Sequence, residues 1–171
     1  MKALFATIML VLIGIGLSCQ RSETNQLTAR ELKIYKTILS NKPKEIVVID
    51  ESIAGIFGEI STGKLKEILK GLQDDTFNNF AKVNSKTTNI ENGFTPPFDY
   101  EVLSKTEFEK KNLNLSRYYV FSRVGFSNDG KQAVVMFNYV CTALCSDGAY
   151  YLLQNNGENW EIVQKSESWK S

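Results

Sequence analysis

The last third of the chain contains the stretch that decides the fold, 118-YYVFSRVGFSNDGKQAVVMFNYVCTALCSDGAYYLLQNNGENWEIVQK-165. Apolar and polar residues alternate along much of it with a period of two, which is typical of β-strands. Asp129-Gly130 and Asn156-Gly157 interrupt the alternation, and such dipeptides favour tight hairpins. The stretch therefore predicts an antiparallel β-meander.

The alternation divides into four predicted strands, Tyr118–Phe126, Lys131–Val140, Ala149–Gln154 and Asn159–Lys165. They are connected by residues 127–130, by a segment that spans two cysteines, and by residues 155–158. Consecutive strands joined by short turns pair antiparallel. We therefore expect about four strands in this sheet.

The residues before this stretch favour helices. Thr28-Ala29-Arg30-Glu31 is a capping box, in which the Thr hydroxyl and the Glu carboxylate bind free N–H groups at a helix start. Apolar residues follow it at helical spacing, at Leu32, Tyr35, Ile38 and Leu39. A second helix is predicted over Thr62–Leu72, and Asp75 is expected to cap a third.

Two short strands and a second capping box complete the predicted elements. Glu45–Glu51 is rich in β-branched residues and predicts a buried strand, and Tyr100–Leu103 predicts a brief one. Ser104-Lys105-Thr106-Glu107 is expected to start a helix of one or two turns. The predicted fold class is α+β, with N-terminal helices and a C-terminal antiparallel β-meander of about four strands.

Composition excludes several classes of function. The 171 residues include no histidine, so a histidine general base, a Ser-His-Asp triad and a His-ligated zinc site are all excluded. Carboxylate pairs and Ser-Lys pairs are still available for catalysis. The 20 Lys plus Arg and 19 Asp plus Glu are interspersed, and no basic block indicates nucleic-acid binding. No cofactor or metal is expected.

Residues 1–18 have the pattern of a secretory signal peptide. Lys2 gives a positive start, residues 3–15 are apolar, and Gly16-Leu17-Ser18 leads directly to Cys19. The apolar run is shorter than the roughly 20 residues that a membrane-spanning helix needs. The cysteine at this point resembles a bacterial lipobox, whose cysteine carries a diacylglycerol and becomes the first mature residue. The alternative is an ordinary secreted protein with a cysteine near its cleavage site.

This interpretation divides the chain into three parts. After the signal peptide, residues 19–27 are polar and aperiodic, as expected of a flexible tether. Residues 28–171 have the usual size of one compact domain. The expected location is the bacterial cell envelope, with the membrane as a partner through the lipid. In lipoproteins of this kind an aspartate after the cysteine retains the protein in the inner membrane, and Gln20 therefore favours the outer membrane.

Cys141 and Cys145 lie between two predicted strands. A disulfide is the expected state in an oxidising compartment, and the ends of neighbouring strands lie within disulfide reach. The functional alternative is a redox-active thiol pair, which usually has the spacing Cys-x-x-Cys at a helix N-terminus. The longer spacing and the strand context favour a structural disulfide that fixes the register of the hairpin.

Several segments of the last third resemble the C-terminal region of a group of uncharacterised secreted bacterial proteins. They are Ser122-Arg123-Val124-Gly125-Phe126, the strand 133–140, the Cys-x-x-x-Cys spacing, Tyr150-Tyr151-Leu152-Leu153 and the segment 159–163. In that group the cysteines usually lie in a Gly-rich segment, and here Thr142 and Ser146 stand where glycine is common. The resemblance implies homology, a shared fold and an envelope location, and it implies no activity.

Two weaker patterns could belong to a catalytic site. Gly58–Leu65 nearly matches a phosphate-binding P-loop, but Leu65 replaces the residue whose hydroxyl binds magnesium. Asp50-Glu51 and Asp74-Asp75 are paired carboxylates, but adjacent side chains point in different directions, whereas a glycosidase needs two that face each other. Structural roles are expected for both patterns.

An aromatic and proline-rich loop is the best sequence candidate for a contact surface. Phe94, Phe98 and Tyr100 flank Pro96-Pro97 and could anchor a protein or glycan partner. The loop could equally fold over the open face of the sheet. A sheet-face groove is also conceivable, although the aromatic residues of a meander usually serve the core; its candidates are Tyr150, Tyr151, Trp160 and Trp169.

Together these features predict a lipid-anchored envelope protein that acts as a non-catalytic binding or structural module. The alternative is a small envelope hydrolase or a thiol-redox protein. The sequence does not identify the ligand or the partner.

Overall fold

The structure is a computed structural model that describes residues 27–50, 62–85, 100–111, 117–141 and 146–170. Within these ranges the chain forms four helices and one seven-stranded sheet. The helices are α1 (Ala29–Leu39), α2 (Thr62–Ile68), α3 (Asp74–Val83) and α4 (Lys105–Lys110). The strands are β1 (Ile46–Ile49), β2 (Val102–Ser104), β3 (Tyr118–Phe121), β4 (Gly125–Phe126), β5 (Gln132–Val140), β6 (Ser146–Asn155) and β7 (Trp160–Lys170).

The sheet is mostly antiparallel, with the strand order β2-β1-β3-β5-β6-β7 and with β4 paired to β5. β1 runs parallel to both β2 and β3, and the other pairs are antiparallel. The predicted α+β class is confirmed. The sheet is larger than the four strands predicted, because β1 and β2 join it by parallel pairing and because the first predicted strand is divided into β3 and β4.

Helices cover both faces of the sheet. Alternate residues of a strand point to opposite faces, so Val47 and Ile49 pack with α1, whereas Val48 packs with the α2 and α3 side. We call these the α1 face and the α2–α3 face. Burial on both faces explains why β1 is a continuous apolar run, since neither side of the strand meets water.

The N-terminus of α1 confirms the predicted capping box. The Glu31 N–H donates to the Thr28 hydroxyl at 3.2 Å, and Glu31 Oε2 accepts from the Thr28 N–H at 2.9 Å. The buried side of α1 packs on the sheet, where the Tyr35 ring lies 4.6 Å from the ring of Phe121. The second predicted capping box, between Ser104 and Glu107, is also present at the start of α4.

The connection from α2 to α3 differs from the prediction. α2 ends at Ile68 rather than Leu72, and Gly71 adopts a φ of 85°, which takes the chain out of helical geometry. The N-cap of α3 is Gln73, not Asp75. The buried Gln132 side chain holds the connection, since it accepts from the Gln73 N–H at 2.8 Å and donates to the Gly71 carbonyl at 3.0 Å.

The interruption between β3 and β4 is stabilised by side chains from distant parts of the chain. The Ser122 hydroxyl accepts from the Met136 N–H at 2.9 Å, and the Tyr35 hydroxyl donates to the Ser122 carbonyl at 3.0 Å. The Arg123 N–H donates to Asn84 Oδ1 at 2.9 Å. Together with the backbone bond from the Ser122 N–H to the Met136 carbonyl at 3.0 Å, these bonds satisfy backbone groups where the regular strand pairing stops.

β7 lies at one end of the strand order and is irregular. Its pairing with β6 shifts register between Gly148 and Ala149 and again between Leu152 and Leu153. Ile162 and Val163 are 43% and 48% exposed, and they are the large hydrophobic residues most open to solvent in the described part of the chain.

Candidate functional site

The predicted carboxylate pairs are held in structural contacts and do not form one site. Asp50 lies 3.1 Å from the Lys105 ammonium group, and Asp74 pairs with Lys66. Asp75 accepts from the Thr76 N–H and from the Asn128 N–H, both at 2.8 Å, and so ties the start of α3 to the β4–β5 turn. Glu51 lies outside the described residues.

The best-buried ionic group is the pair between Glu31 and Arg123, whose side chains are 3% and 12% exposed. The guanidinium binds the carboxylate through two bonds, Nε to Oε1 at 2.6 Å and one terminal N–H to Oε2 at 3.0 Å. Glu31 also accepts from Thr28 and from the Val124 N–H. All of these partners are structural, so this carboxylate is not available for acid–base catalysis.

The structure describes the predicted disulfide and the P-loop-like segment only in part. Cys141 is 8% exposed and is engaged in a disulfide, while Cys145 lies outside the described residues, so their pairing stays a prediction. Gly58–Ser61 of the P-loop-like segment also lies outside them. Leu65 is 1% exposed and packs in the α2–α3 face core, as expected of a helix residue rather than a phosphate site.

The aromatic loop is described at Tyr100 alone, because Phe94 and Phe98 lie outside the described residues. The single proton of the Tyr100 hydroxyl is shared between the Lys42 carbonyl at 2.9 Å and the Leu39 carbonyl at 3.2 Å, next to the end of α1. Burial raises the pKa of Tyr100, and nearby Lys44 lowers it by a smaller amount. Tyr100 therefore stabilises the end of α1, and partner contact through Phe94 and Phe98 stays a prediction.

The aromatic residues of the meander do not line one groove. Tyr150 packs in the α2–α3 face and Tyr151 in the α1 face, because neighbours on a strand point to opposite sides. Burial raises the pKa of each hydroxyl to about 12. Both tyrosines are therefore neutral core residues at physiological pH. The side chain of Trp169 lies outside the described part.

A groove between α1 and the β6–β7 turn is the strongest candidate for a functional site in the described part of the chain, and we call it the α1 groove. Its volume is about 450 Å³. Its lining residues come from the outer surface of α1 and from the start of β7: Lys33, Lys36, Thr37, Ser40, Glu158, Asn159 and Trp160.

The helix side of the groove follows from the spacing of polar residues in α1. Lys33, Lys36, Thr37 and Ser40 recur at intervals of three and four, which places them along one side of the helix. Lys33 and Lys36 are exposed, and neither ammonium group has a partner among the described residues. The Thr37 and Ser40 hydroxyls donate to carbonyls of α1 at 2.9 and 3.0 Å, which leaves their lone pairs to accept from a ligand.

The strand side of the groove is fixed by a tight turn. Gly157 has a φ of 102°, and its N–H donates to Asn155 Oδ1 at 2.8 Å. Asn156 Oδ1 accepts from the N–H groups of Glu158 and Asn159 at 3.1 and 2.9 Å. These asparagine bonds fix the backbone of Glu158 and Asn159, which line the groove together with residues of α1.

Trp160 is the aromatic residue of the groove lining. It is 7% exposed, and its ring lies 5.8 Å from the ring of Phe126, which Arg30 covers at 4.3 Å. Within the described residues, the buried side-chain N and O atoms without a partner are those of Thr76 and Asn138. The indole N–H of Trp160 is not among them and has no partner in the described residues, so this nitrogen keeps some contact with solvent.

A second, smaller cavity of about 240 Å³ is a weaker candidate for a ligand site. It is lined by Gln73, Asp129, Lys131, Gln132, Gln154 and Asn155. The Gln132 amide is already bonded on both sides to the α2–α3 connection, and Asp129 accepts from the Ser127 hydroxyl and the Lys131 N–H. Those two bonds lower the pKa of Asp129, which stays ionised as part of the turn.

Sequence reasoning missed the α1 groove. Lys33 and Lys36 are typical of the solvated side of an amphipathic helix, and nothing near them in the chain indicates that residues 158–160 pack alongside. The Asn155-Asn156-Gly157 turn predicted the hairpin that carries residues 158–160, but it did not predict that α1 lies beside this hairpin.

Two general features of the described ranges are also relevant. No group of three or more His, Cys, Asp or Glu side chains is placed to hold a metal ion there. In the same ranges, no helix combines the length and the apolar character needed to cross a membrane.

Comparisons of the chain with protein-family models, with curated proteins and with solved structures find no match.

Proposed function

We propose that this chain is a lipid-anchored, non-catalytic binding module of the bacterial cell envelope, attached through Cys19 to the outer membrane. The observation that carries the binding role is the α1 groove, which is lined by Trp160 and by two lysines whose ammonium groups have no partner among the described residues. Clefts with a few convergent polar groups are the usual form of a ligand site.

The catalytic alternatives have less support. A hydrolase that used the predicted carboxylate pairs would need them free, and Asp50, Asp74 and Asp75 are each held by a cation or by N–H groups of the backbone. A thiol-redox protein would need an accessible thiolate, and Cys141 is 8% exposed. The resemblance of the last third to secreted bacterial proteins supports the envelope location without adding an activity.

The anchor and the groove are close along the chain. α1 begins at Ala29, and residues 19–27 span at most about 30 Å when extended. A lipid on Cys19 would therefore hold the groove near the membrane surface, where envelope polymers and proteins are within reach.

Replacing Cys19 with Ala is expected to move the protein from the membrane fraction to the soluble fraction. The lipid would supply the attachment, since the apolar signal segment is removed on maturation. Detergent phase partitioning measures this change. A Cys19→Ala protein that still partitions with detergent would contradict the anchor.

The groove is tested by charge reversal in the Cys19→Ala background, which removes the contribution of the lipid. The Lys33→Glu, Lys36→Glu double variant is expected to bind native envelope material about tenfold more weakly. The two introduced carboxylates would repel a ligand that the two ammonium groups attract. Co-sedimentation with an envelope preparation measures the binding.

The matched control is Lys70→Glu with Lys110→Glu, two exposed lysines beyond the groove that give the same change in net charge. This control should bind like the parent. Equal losses in both double variants would mean that net charge, and not the α1 groove, governs binding.

A further inference from the structure

We propose that the α1 groove takes a carboxylate-bearing saccharide, an inference that rests on the binding role proposed above. Three properties of the groove support it: its charge, its balance of donors and acceptors, and its volume.

The charge of the groove favours an anion. Lys33 and Lys36 contribute two positive charges against the single negative charge of Glu158, and the lysines have no partner within the described residues. A ligand carboxylate between the two ammonium groups would form charge-assisted hydrogen bonds, which are the stronger kind.

The remaining lining favours a ligand with hydroxyl groups. Glu158 is an acceptor in an otherwise cationic groove, and the Thr37 and Ser40 oxygens keep free lone pairs because their protons are used within α1. The Asn159 amide offers both a donor and an acceptor. Sugar hydroxyls both donate and accept, so they could satisfy these groups together with the lysines.

The size of the groove and its side chains suit a small ligand with polar groups. Six of the seven lining residues carry polar groups, and Trp160 and the aliphatic parts of the lysines supply apolar surface beside them. The volume of about 450 Å³ lies within the range of small-ligand clefts, about 300–1,000 Å³, and suits one or two sugar rings.

The experiment follows the indole N–H signals of the ¹⁵N-labelled purified protein. Trp160 and Trp169 are the two tryptophans, so Trp169→Phe assigns the Trp160 signal. The probes are a tetrasaccharide of alternating glucuronic acid and N-acetylglucosamine, a neutral N-acetylglucosamine tetrasaccharide, and tetraglutamate.

The acidic saccharide is expected to shift the Trp160 signal with saturation, and the neutral saccharide to bind about tenfold more weakly, because it lacks the carboxylates. The Lys33→Gln, Lys36→Gln double variant should also bind the acidic saccharide about tenfold more weakly. Lys70→Gln with Lys110→Gln should leave its affinity unchanged.

Three results would overturn the proposal: no shift of the Trp160 signal by the acidic saccharide, equal affinity for the neutral one, or tighter binding of tetraglutamate. Each would leave the binding role standing as long as envelope retention still depends on Lys33 and Lys36. Loss of that dependence would overturn the binding role itself, so the two failures are distinguishable.

Discussion

Arg123→Met is expected to lower the free energy of unfolding by about 3–5 kcal/mol, the range for a buried ion pair that loses one partner. The change would leave the Glu31 carboxylate, whose side chain is 3% exposed, without its bidentate cation. The bonds from Thr28 and Val124 would remain, but they come from neutral groups. Urea denaturation of the purified variant measures the loss.

The control for this prediction is an exposed pair in the same protein. Lys111 and Glu101 have side chains that are 48% and 51% exposed, and Lys111→Met should cost no more than about 1 kcal/mol. A double-mutant cycle with Glu31→Gln would isolate the pairwise energy. If Arg123→Met cost as little as Lys111→Met, the buried pair would not be a main source of stability.

Gly125→Ala is expected to destabilise the protein by about 3 kcal/mol or more, because added volume in a packed core forces the backbone apart. A Cβ at position 125 would lie 2.4 Å from Phe80 Cβ and 2.6 Å from the Cα and the N of Phe80. These are rigid atoms of α3, so rotation of a side chain cannot relieve the contact. Thermal and urea unfolding would show the change.

Two further variants separate this clash from other effects. Gly157 has a φ of 102° and nothing within 4 Å of an added Cβ, so Gly157→Ala should cost only about 1–2 kcal/mol of backbone strain. Phe80→Ala keeps the Cα, the N and the Cβ that meet residue 125, and it should not rescue Gly125→Ala. A rescued double variant would show that the Phe80 ring, and not the α3 backbone, limits the space.

Local features of the fold were predictable from the sequence. The capping boxes at Thr28 and Ser104 depend on residues three apart, and the Asn156-Gly157 turn depends on two neighbours. Such short-range patterns carry their own geometry. They placed α1, α4 and the last hairpin close to their observed positions.

Long-range features were not predictable in this way. Val47 pairs with both Val102 and Tyr119, and no local pattern states which distant strand will lie parallel to β1. The interruption after Phe121 depends on Tyr35 and Asn84, which are far from it in sequence. The segment Ser122-Arg123-Val124-Gly125-Phe126 was therefore predicted as part of a continuous strand. The residues that interrupt this strand are distant in the sequence, so the local pattern does not show the interruption.

The candidate site was missed for the same reason. Lys33 and Trp160 line the same groove only because α1 packs on the sheet near β7. In the sequence, Lys33 is an ordinary residue of a helix surface and Trp160 an ordinary residue of a strand. Of the predicted carboxylate pairs, Asp50 pairs with Lys105 and Asp75 binds backbone N–H groups, although Asp75 is not the helix cap that the sequence predicted.

The irregular edge strand β7 has a consequence for how copies of the protein behave at high local density. A lipid anchor would confine many copies to one surface, where regular edge strands readily join into intermolecular sheets. The two register shifts in β7 break the even row of backbone donors and acceptors, and Glu161, Lys165 and Glu167 place charge along it. The exposed Ile162 and Val163 thus lie on an edge that is poorly suited to regular pairing with the strand of a second copy.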